Sequence, residues 1–198
     1  MKIQVILGST RPGRITERMA KWAVAEAAKL KDVEVELVDL VDYDMPFFDE
    51  PVSPRYNPNR LSNDRAKRFL AKIAEADGYV VVTPEYNHSI PGVLKNAFDY
   101  LDFQVAKKPM AVFSHGSVGG ARAAEHLKAI IIESGAAVVP TALAIHDASK
   151  LLDAEGNYVG DTSNPYGPDK QVISVLTDLV WWTETLAAGR KVTAGNGA

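Results

Sequence analysis

This sequence predicts a doubly wound α/β fold, a five-stranded parallel sheet with helices on both faces, on three observations. Short runs rich in apolar and β-branched residues recur at positions 3–7, 33–38, 79–83, 110–113 and 137–140. Helical patterns separate them, and near-continuous apolar strands alternating with amphipathic helices call for parallel strands buried on both faces. At 198 residues, 46% hydrophobic and 24% charged, the chain has the size and composition of one soluble domain spanning residues 1–198.

The first run leads into GSTRPGR, residues 8–14, and then into a helical pattern over 14–30. The second is followed by DMPFFDEPVSPRYNPN, residues 44–59, whose prolines and turn formers read as a loop within the domain. A helix is expected over 61–75. The third run ends in TPEYNHSIPG, where Pro91 takes the favoured first-turn position of a helix over 91–103. The fourth ends in SHGSVGG ahead of a helix over 119–134, and the fifth is followed by a long polar stretch, 145–169, with a hairpin turn at Glu155, Gly156 and Asn157. A faint likeness to a calcium loop at DAEGN lacks the acidic spacing and closing Glu, so no metal site is read there. The last helix spans 168–189, and residues 193–198 are expected to fray. For a sheet of this size the flavodoxin-like order 2-1-3-4-5 is the usual solution, which puts a topological switch point between the first and third strands.

Several function classes fall away on composition. A net charge of -3 gives no basic field for nucleic acid. Without cysteine there is no disulfide, thiolate metal site or cysteine nucleophile, so redox chemistry would need a bound cofactor. No apolar run approaches the length of a membrane span, and the chain enters a strand at once without a signal-peptide pattern. Cytoplasmic residence is the expectation.

GSTRPGR between a strand and a helix start describes an anion site, because first-turn N–H groups lack intrahelical partners and the helix dipole favours negative charge. Ser9, Thr10 and Thr16 add hydroxyls, and Arg11 and Arg14 add planar cations suited to phosphate oxygens. The stretch lacks the P-loop lysine and the three-glycine dinucleotide fingerprint, so it suits a terminal phosphate, as on a mononucleotide. The loops beginning at Thr83 and Ser114 lie at the same sheet edge. Tyr86 offers a flat face, Asn87 and Ser89 offer polar groups, and the glycines after Ser114 let backbone approach a flat ligand.

GSTRPGR, PEYNHSIPGVLKNAFDYL and SHGSVGGARAAEHLK, in this order and spacing, resemble the NADPH-dependent FMN reductase family of flavodoxin-like proteins, from the first strand to the fourth helix. The resemblance implies that Ser9, Arg11 and the backbone around Arg14, Ile15 and Thr16 take the phosphate of bound FMN. It implies that Pro84, Glu85, Tyr86 and Asn87 border the isoalloxazine ring, and that Ser114, His115, Gly116 and Gly119 approach its pyrimidine side. His88 and His115 stand where the family often has smaller residues. Function then follows the cofactor: hydride passes from NADPH or NADH to the flavin and onward to a small acceptor such as a quinone, an azo compound or free flavin. No acid/base dyad is required. Backbone N–H groups near Gly116 would stabilise negative charge at the reduced ring, and one open ring face used in turn implies ping-pong kinetics.

Other residues have plainer readings. Glu85 is read as ordering its loop rather than as a catalytic acid, His126 as a satisfied helix residue and His146 as structural. Trp181 and Trp182 share the terminal helix with Val172, Val175, Leu179 and Leu186 at helical spacing, which reads as core or subunit packing. Phe98, Tyr100, Leu101 and Phe103 are more aromatic than one buried helix face requires, and are read as the contact of a homodimer or homotetramer. The rival to a reductase is a flavodoxin-type electron carrier, or a flavin-binding regulatory module. Arg11, Arg14 and the modest net charge argue against the carrier.

Overall fold

The structure, a computed structural model, describes residues 1–57, 60 and 63–195. In chain order its elements are β1 (Lys2–Leu7), α1 (Thr16–Ala27), β2 (Glu34–Asp39), α2 (Asp64–Ala74), β3 (Gly78–Pro84), α3 (Gly92–Asp99), β4 (Pro109–Gly116), α4 (Ala121–Glu133), β5 (Ala137–Val138), β6 (Leu143–His146), α5 (Ala148–Leu151) and α6 (Pro168–Gly195). The strands are parallel in the order β2-β1-β3-β4-β5. Register pairs include Leu7 with Asp39, Leu7 with Val82 and Pro84 with His115.

Strand residues alternate between two cores, because successive side chains of a strand leave opposite faces of the sheet. Ile3, Val5, Leu7, Val80, Val82, Ala111 and Phe113 pack under α1 and α6 with Met19, Trp22, Val172 and Leu179. Ile6, Tyr79, Val81, Met110 and Val112 pack against α2, α3 and α4 with Phe69, Ile73, Leu94, Phe98 and Leu127. The crossovers after β1 and β3 therefore cover opposite faces, which opens a crevice between the carboxyl ends of these neighbouring strands.

Four expectations need correction. The sheet has a sixth strand: β6 pairs with Phe113–Gly116 of β4 beyond the point where β5 pairs with Pro109 and Met110. The outer edge is thus one strand in two pieces, broken at Pro140, which has no N–H for the ladder. The predicted run 137–140 keeps only Ala137–Val138 as strand. In β6 only Leu143 and Ile145 are buried, so its signal in the sequence is too short to read.

The second correction concerns the expected subunit contact. Phe98, Tyr100 and Leu101 are buried, and only Phe103 is exposed. The stretch from Asp44 onward folds over α3: Asn96 Nδ2 and the Tyr100 hydroxyl donate to the Pro46 carbonyl, and Phe48 meets Tyr100 edge to face at 5.2 Å. That cover gives the aromatic residues an intramolecular partner, which periodicity alone does not show. Third, Arg14 and Gly119 precede their helices rather than belong to them, and α3 closes at Asp99. Fourth, α6 runs through Gly195 instead of ending at 189, which takes in the first three of the residues 193–198 expected to fray. Residues 196–198 of that stretch, the start of the second predicted helix at 61 and 62, and the end of the proline-rich loop at 58 and 59 lie outside the described residues.

The hairpin at 155–157 forms as expected. Asp153 N–H donates to the Asn157 carbonyl at 3.1 Å, and Leu152 bridges Tyr158. Tyr158 stacks on Trp22 at 5.6 Å, so this polar stretch is a flap over α1. No helix among the described residues is long and apolar enough to cross a membrane.

Candidate functional site

The GSTRPGR stretch leaves β1 at Gly8, whose N–H donates to the Val82 carbonyl at 2.9 Å. A Cβ on Gly8 would lie 2.7 Å from that oxygen and 2.8 Å from Leu94, so the close approach of β1, β3 and α3 requires glycine here. Ser9 is buried, with its hydroxyl 2.9 Å from the Tyr86 hydroxyl. Thr16, also buried, holds its hydroxyl 2.9 Å from His115 Nε2. Arg11 is exposed, with its guanidinium carbon 5.8 Å from the Tyr86 ring centre. Arg11, Gly13, Ile15, Thr16, Pro84, Tyr86 and His115 line a cleft of about 290 Å³ at the switch point.

The chemistry of this donor set suits a phosphate. The N–H groups of Ile15, Thr16 and Glu17, at the start of α1, have no partner among the described residues, and two hydroxyls and one cation stand beside them. Burial lowers the His115 pKa to about 4, so its ring is neutral near pH 7 and adds no charge. Arg14 departs from the sequence reading of a guanidinium turned to phosphate. Its Nη1 donates to the Ser9 carbonyl at 2.7 Å and its Nη2 to the Asp39 carboxylate, so its planar fork is engaged within the protein.

The other end of the site forms where two loops meet. Tyr86 and Ser89 exchange backbone hydrogen bonds of 2.9 and 3.0 Å around Asn87 and His88, whose φ values of 48 and 67° define a type I′ turn. Asn87 and His88 stand exposed at its tip. Glu85 is turned to the start of α4, where its carboxylate accepts from Arg122 N at 3.1 Å and from Arg122 Nε at 2.7 Å. The Arg122 hydrogen bonds hold this carboxyl below the usual range, and Glu85 orders the loop as its plainer reading expects. One α4 turn on, His126 Nδ1 lies 3.0 Å from the Ser89 hydroxyl.

Across the slot, the Ser114 hydroxyl donates to the Gly119 carbonyl at 2.8 Å, and the Gly119 N–H to the Gly116 carbonyl at 3.0 Å. Gly120, at φ 74°, leaves no room for a Cβ, which would lie 2.8 Å from His115 N. The structure thus sets Pro84 beside His115 in the sheet and Glu85 against Gly116, at the start of the glycine loop. It gives Glu85, Ser114 and the Arg14 side chain partners inside the protein.

Two functional positions escaped the sequence reading. Arg122 carried a signal, since a cation in the first turn of a helix opposes the dipole and calls for an anion nearby. Asp39, the last residue of β2, carried none, because its partner lies across the sheet edge.

An anion cradle beside a flat slot, at the switch point of an open parallel sheet, defines a mononucleotide-binding doubly wound protein. Residues 1–150 match the family model for NADPH-dependent FMN reductases, and the chain belongs to that family. It is 39% identical over 126 residues to an NAD(P)H-dependent FMN reductase of Nectria sp, covering 62% of this chain and 63% of the relative. A 2-hydroxy-1,4-benzoquinone reductase of Burkholderia sp is 33% identical over 177 residues, 84% of this chain and 90% of the relative. The chain therefore spans just under two thirds of the Nectria relative's length and nine tenths of the Burkholderia one's. Among solved structures, a flavoenzyme NAD(P)H:(acceptor) oxidoreductase of Paracoccus denitrificans superposes with a TM-score of 0.71 at 23% identity, over 93% of this chain and 97% of that one, a likeness of fold.

Proposed function

We propose that this chain is an FMN-dependent NAD(P)H oxidoreductase that reduces quinones, azo compounds, free flavin or similar small acceptors. The observation that carries the reading is the phosphate cradle at residues 9–16, coupled through Tyr86 and His115 to the slot at 84–89 and 114–120. Ser9, Arg11, Thr16 and the first-turn N–H groups of α1 would hold the FMN phosphate. Pro84, Tyr86, Asn87 and the backbone at Gly116 and Gly119 would flank the ring. Bound FMN would supply the chemistry by taking a hydride from the nicotinamide and passing electrons to the acceptor.

What the chain contributes is position and field. Arg11 offers a charge-assisted donor to a phosphate oxygen. The N–H groups of Ser117 and Val118 have no partner among the described residues and would be free to donate to an electron-rich ring edge. One open ring face used by donor and acceptor in turn would give ping-pong kinetics. A homodimer or homotetramer and cytoplasmic residence complete the proposal; with Phe98 and Leu101 in the core, exposed Phe103 and Trp181 are aromatic surface left for a subunit contact.

Heat-released cofactor from purified protein should be FMN, and NADPH oxidation should depend on an added quinone. Initial rates at several fixed quinone concentrations should give parallel double-reciprocal lines. Intersecting lines would assign donor and acceptor separate sites, and a protein that binds flavin without oxidising NADPH or NADH would be the electron carrier. Sedimentation as a monomer at micromolar concentration would remove the oligomer.

A further inference from the structure

We propose that Asp39 is a positioning residue for the phosphate cradle and acts through Arg14, so that Arg14 braces the loop instead of holding the phosphate. The proposal rests on the reading of residues 9–16 as the FMN phosphate site. Asp39 closes β2 in register with Leu7, one residue before the loop leaves β1. Its Oδ1 accepts from Val41 N at 3.0 Å, which fixes the carboxylate, and its Oδ2 takes Arg14 Nη2. The same guanidinium donates from Nη1 to the Ser9 carbonyl, and its Nε lies 3.7 Å from Glu17 on α1. Both ends of the loop are thereby tied to the edge of the neighbouring strand. Only 10% of the Arg14 side chain and 21% of the Asp39 side chain is exposed, so solvent competes weakly for this pair.

Charge bookkeeping separates bracing from attraction. Arg14 meets Asp39 and Glu17, and Glu17 also pairs with Lys21 at 2.8 Å, so the network is neutral as a whole. Arg11 has no carboxylate partner among the described residues and is the cation left to meet a phosphate. The network's effect is then to order a glycine- and proline-containing loop before ligand arrives, which removes that ordering cost from binding. The two accounts differ in sign for one substitution. Asp39→Asn removes a negative charge behind an anion site, so attraction alone predicts tighter FMN binding, whereas a lost brace predicts weaker binding.

The test is fluorescence titration of the flavin-free protein with FMN and with riboflavin, which lacks the phosphate. Asp39→Asn and Arg14→Lys should each weaken FMN binding about tenfold and change riboflavin binding less than about twofold, as expected for loss of an engaged charged hydrogen bond. The double variant should be no weaker than the weaker single one, because the two residues act as one unit. Equal or tighter FMN binding by Asp39→Asn, equal losses for both ligands, or additive losses would overturn the brace. A wild type that binds FMN no better than riboflavin would instead remove the phosphate reading. The brace is then decided by amide hydrogen exchange of residues 8–14 in the flavin-free protein, which Asp39→Asn should speed; unchanged exchange overturns it.

Discussion

At the phosphate end of the site one contiguous stretch, Gly8 to Thr16, supplies the hydroxyls, the cation and the helix start, and its distant hydrogen-bond partners among the described residues include Asp39, Val82, Tyr86 and His115. At the ring end nothing is contiguous: the turn at 86–89 and the glycine loop at 116–120 stay together because Glu85 and Ser89 reach Arg122 and His126 on α4. A local motif can be ordered by a single buried pair, whereas two loops from different crossovers need cross-ties to hold their spacing. Damage at the two ends should therefore differ in kind. The phosphate end should lose discrimination between FMN and riboflavin, and the ring end should lose affinity for both.

The largest expected effect tests how dry the junction of the two ends is. His115 is held neutral by burial, with its pKa lowered from 6.5 to about 4. As pH falls below 6.5 the unfolded chain takes the proton first, so stability is complete above that pH and declines until the folded state also protonates near 4. The loss should reach roughly 3 kcal/mol. Urea unfolding of His115→Gln should remove most of this decline, and an unchanged pH dependence would place the acid sensitivity elsewhere.

Next is the cross-tie. Glu85→Ala strips the Arg122 guanidinium and the start of α4 of their acceptor and should cost about 2 to 3 kcal/mol in stability. Titration should show FMN and riboflavin weakened alike, and a loss confined to FMN would erase the distinction between the two ends. Arg11→Ala is its counterpart at the phosphate end. FMN binding should weaken by about 2 kcal/mol with riboflavin unchanged; equal losses for the two ligands would put Arg11 away from the phosphate.

The smallest effect concerns the turn. His88 sits at φ 67° with a bulky side chain, so His88→Gly should raise the thermal midpoint through a gain of about 0.5 to 1 kcal/mol. A lower midpoint would mean that the exposed imidazole makes a stabilising contact.

Much of this was legible in the residues. The alternation of apolar runs and helical patterns indicated a parallel sheet, since such a sheet needs crossovers and each one leaves a periodic signature; the strand order came from the usual solution for a sheet of this size. GSTRPGR was legible because its chemistry is local, a helix start and hydroxyls close in sequence; the loop at Tyr86 and Asn87 was read as polar, but the type I′ turn at Asn87 and His88 was not. Phe98 and Leu101 were misread as a subunit contact because helical periodicity counts apolar faces without showing what covers them. β6 was missed because an edge strand of four residues buries one side chain in two and follows a proline.

The sequence by itself determined which segments become strands and helices, and it placed the cofactor motifs at one edge of the sheet, because hydrophobic period and helix-start chemistry act over a few residues. Only the tertiary structure decided which charged groups face one another. Arg11 and Arg14 are both arginines of one short loop, yet Asp39 engages Arg14 and leaves Arg11 without a carboxylate among the described residues. That choice is made by the register of β1 against β2, which brings the Asp39 carboxylate beside the loop. Coulomb attraction depends on distance through space, and separation along the chain does not encode it.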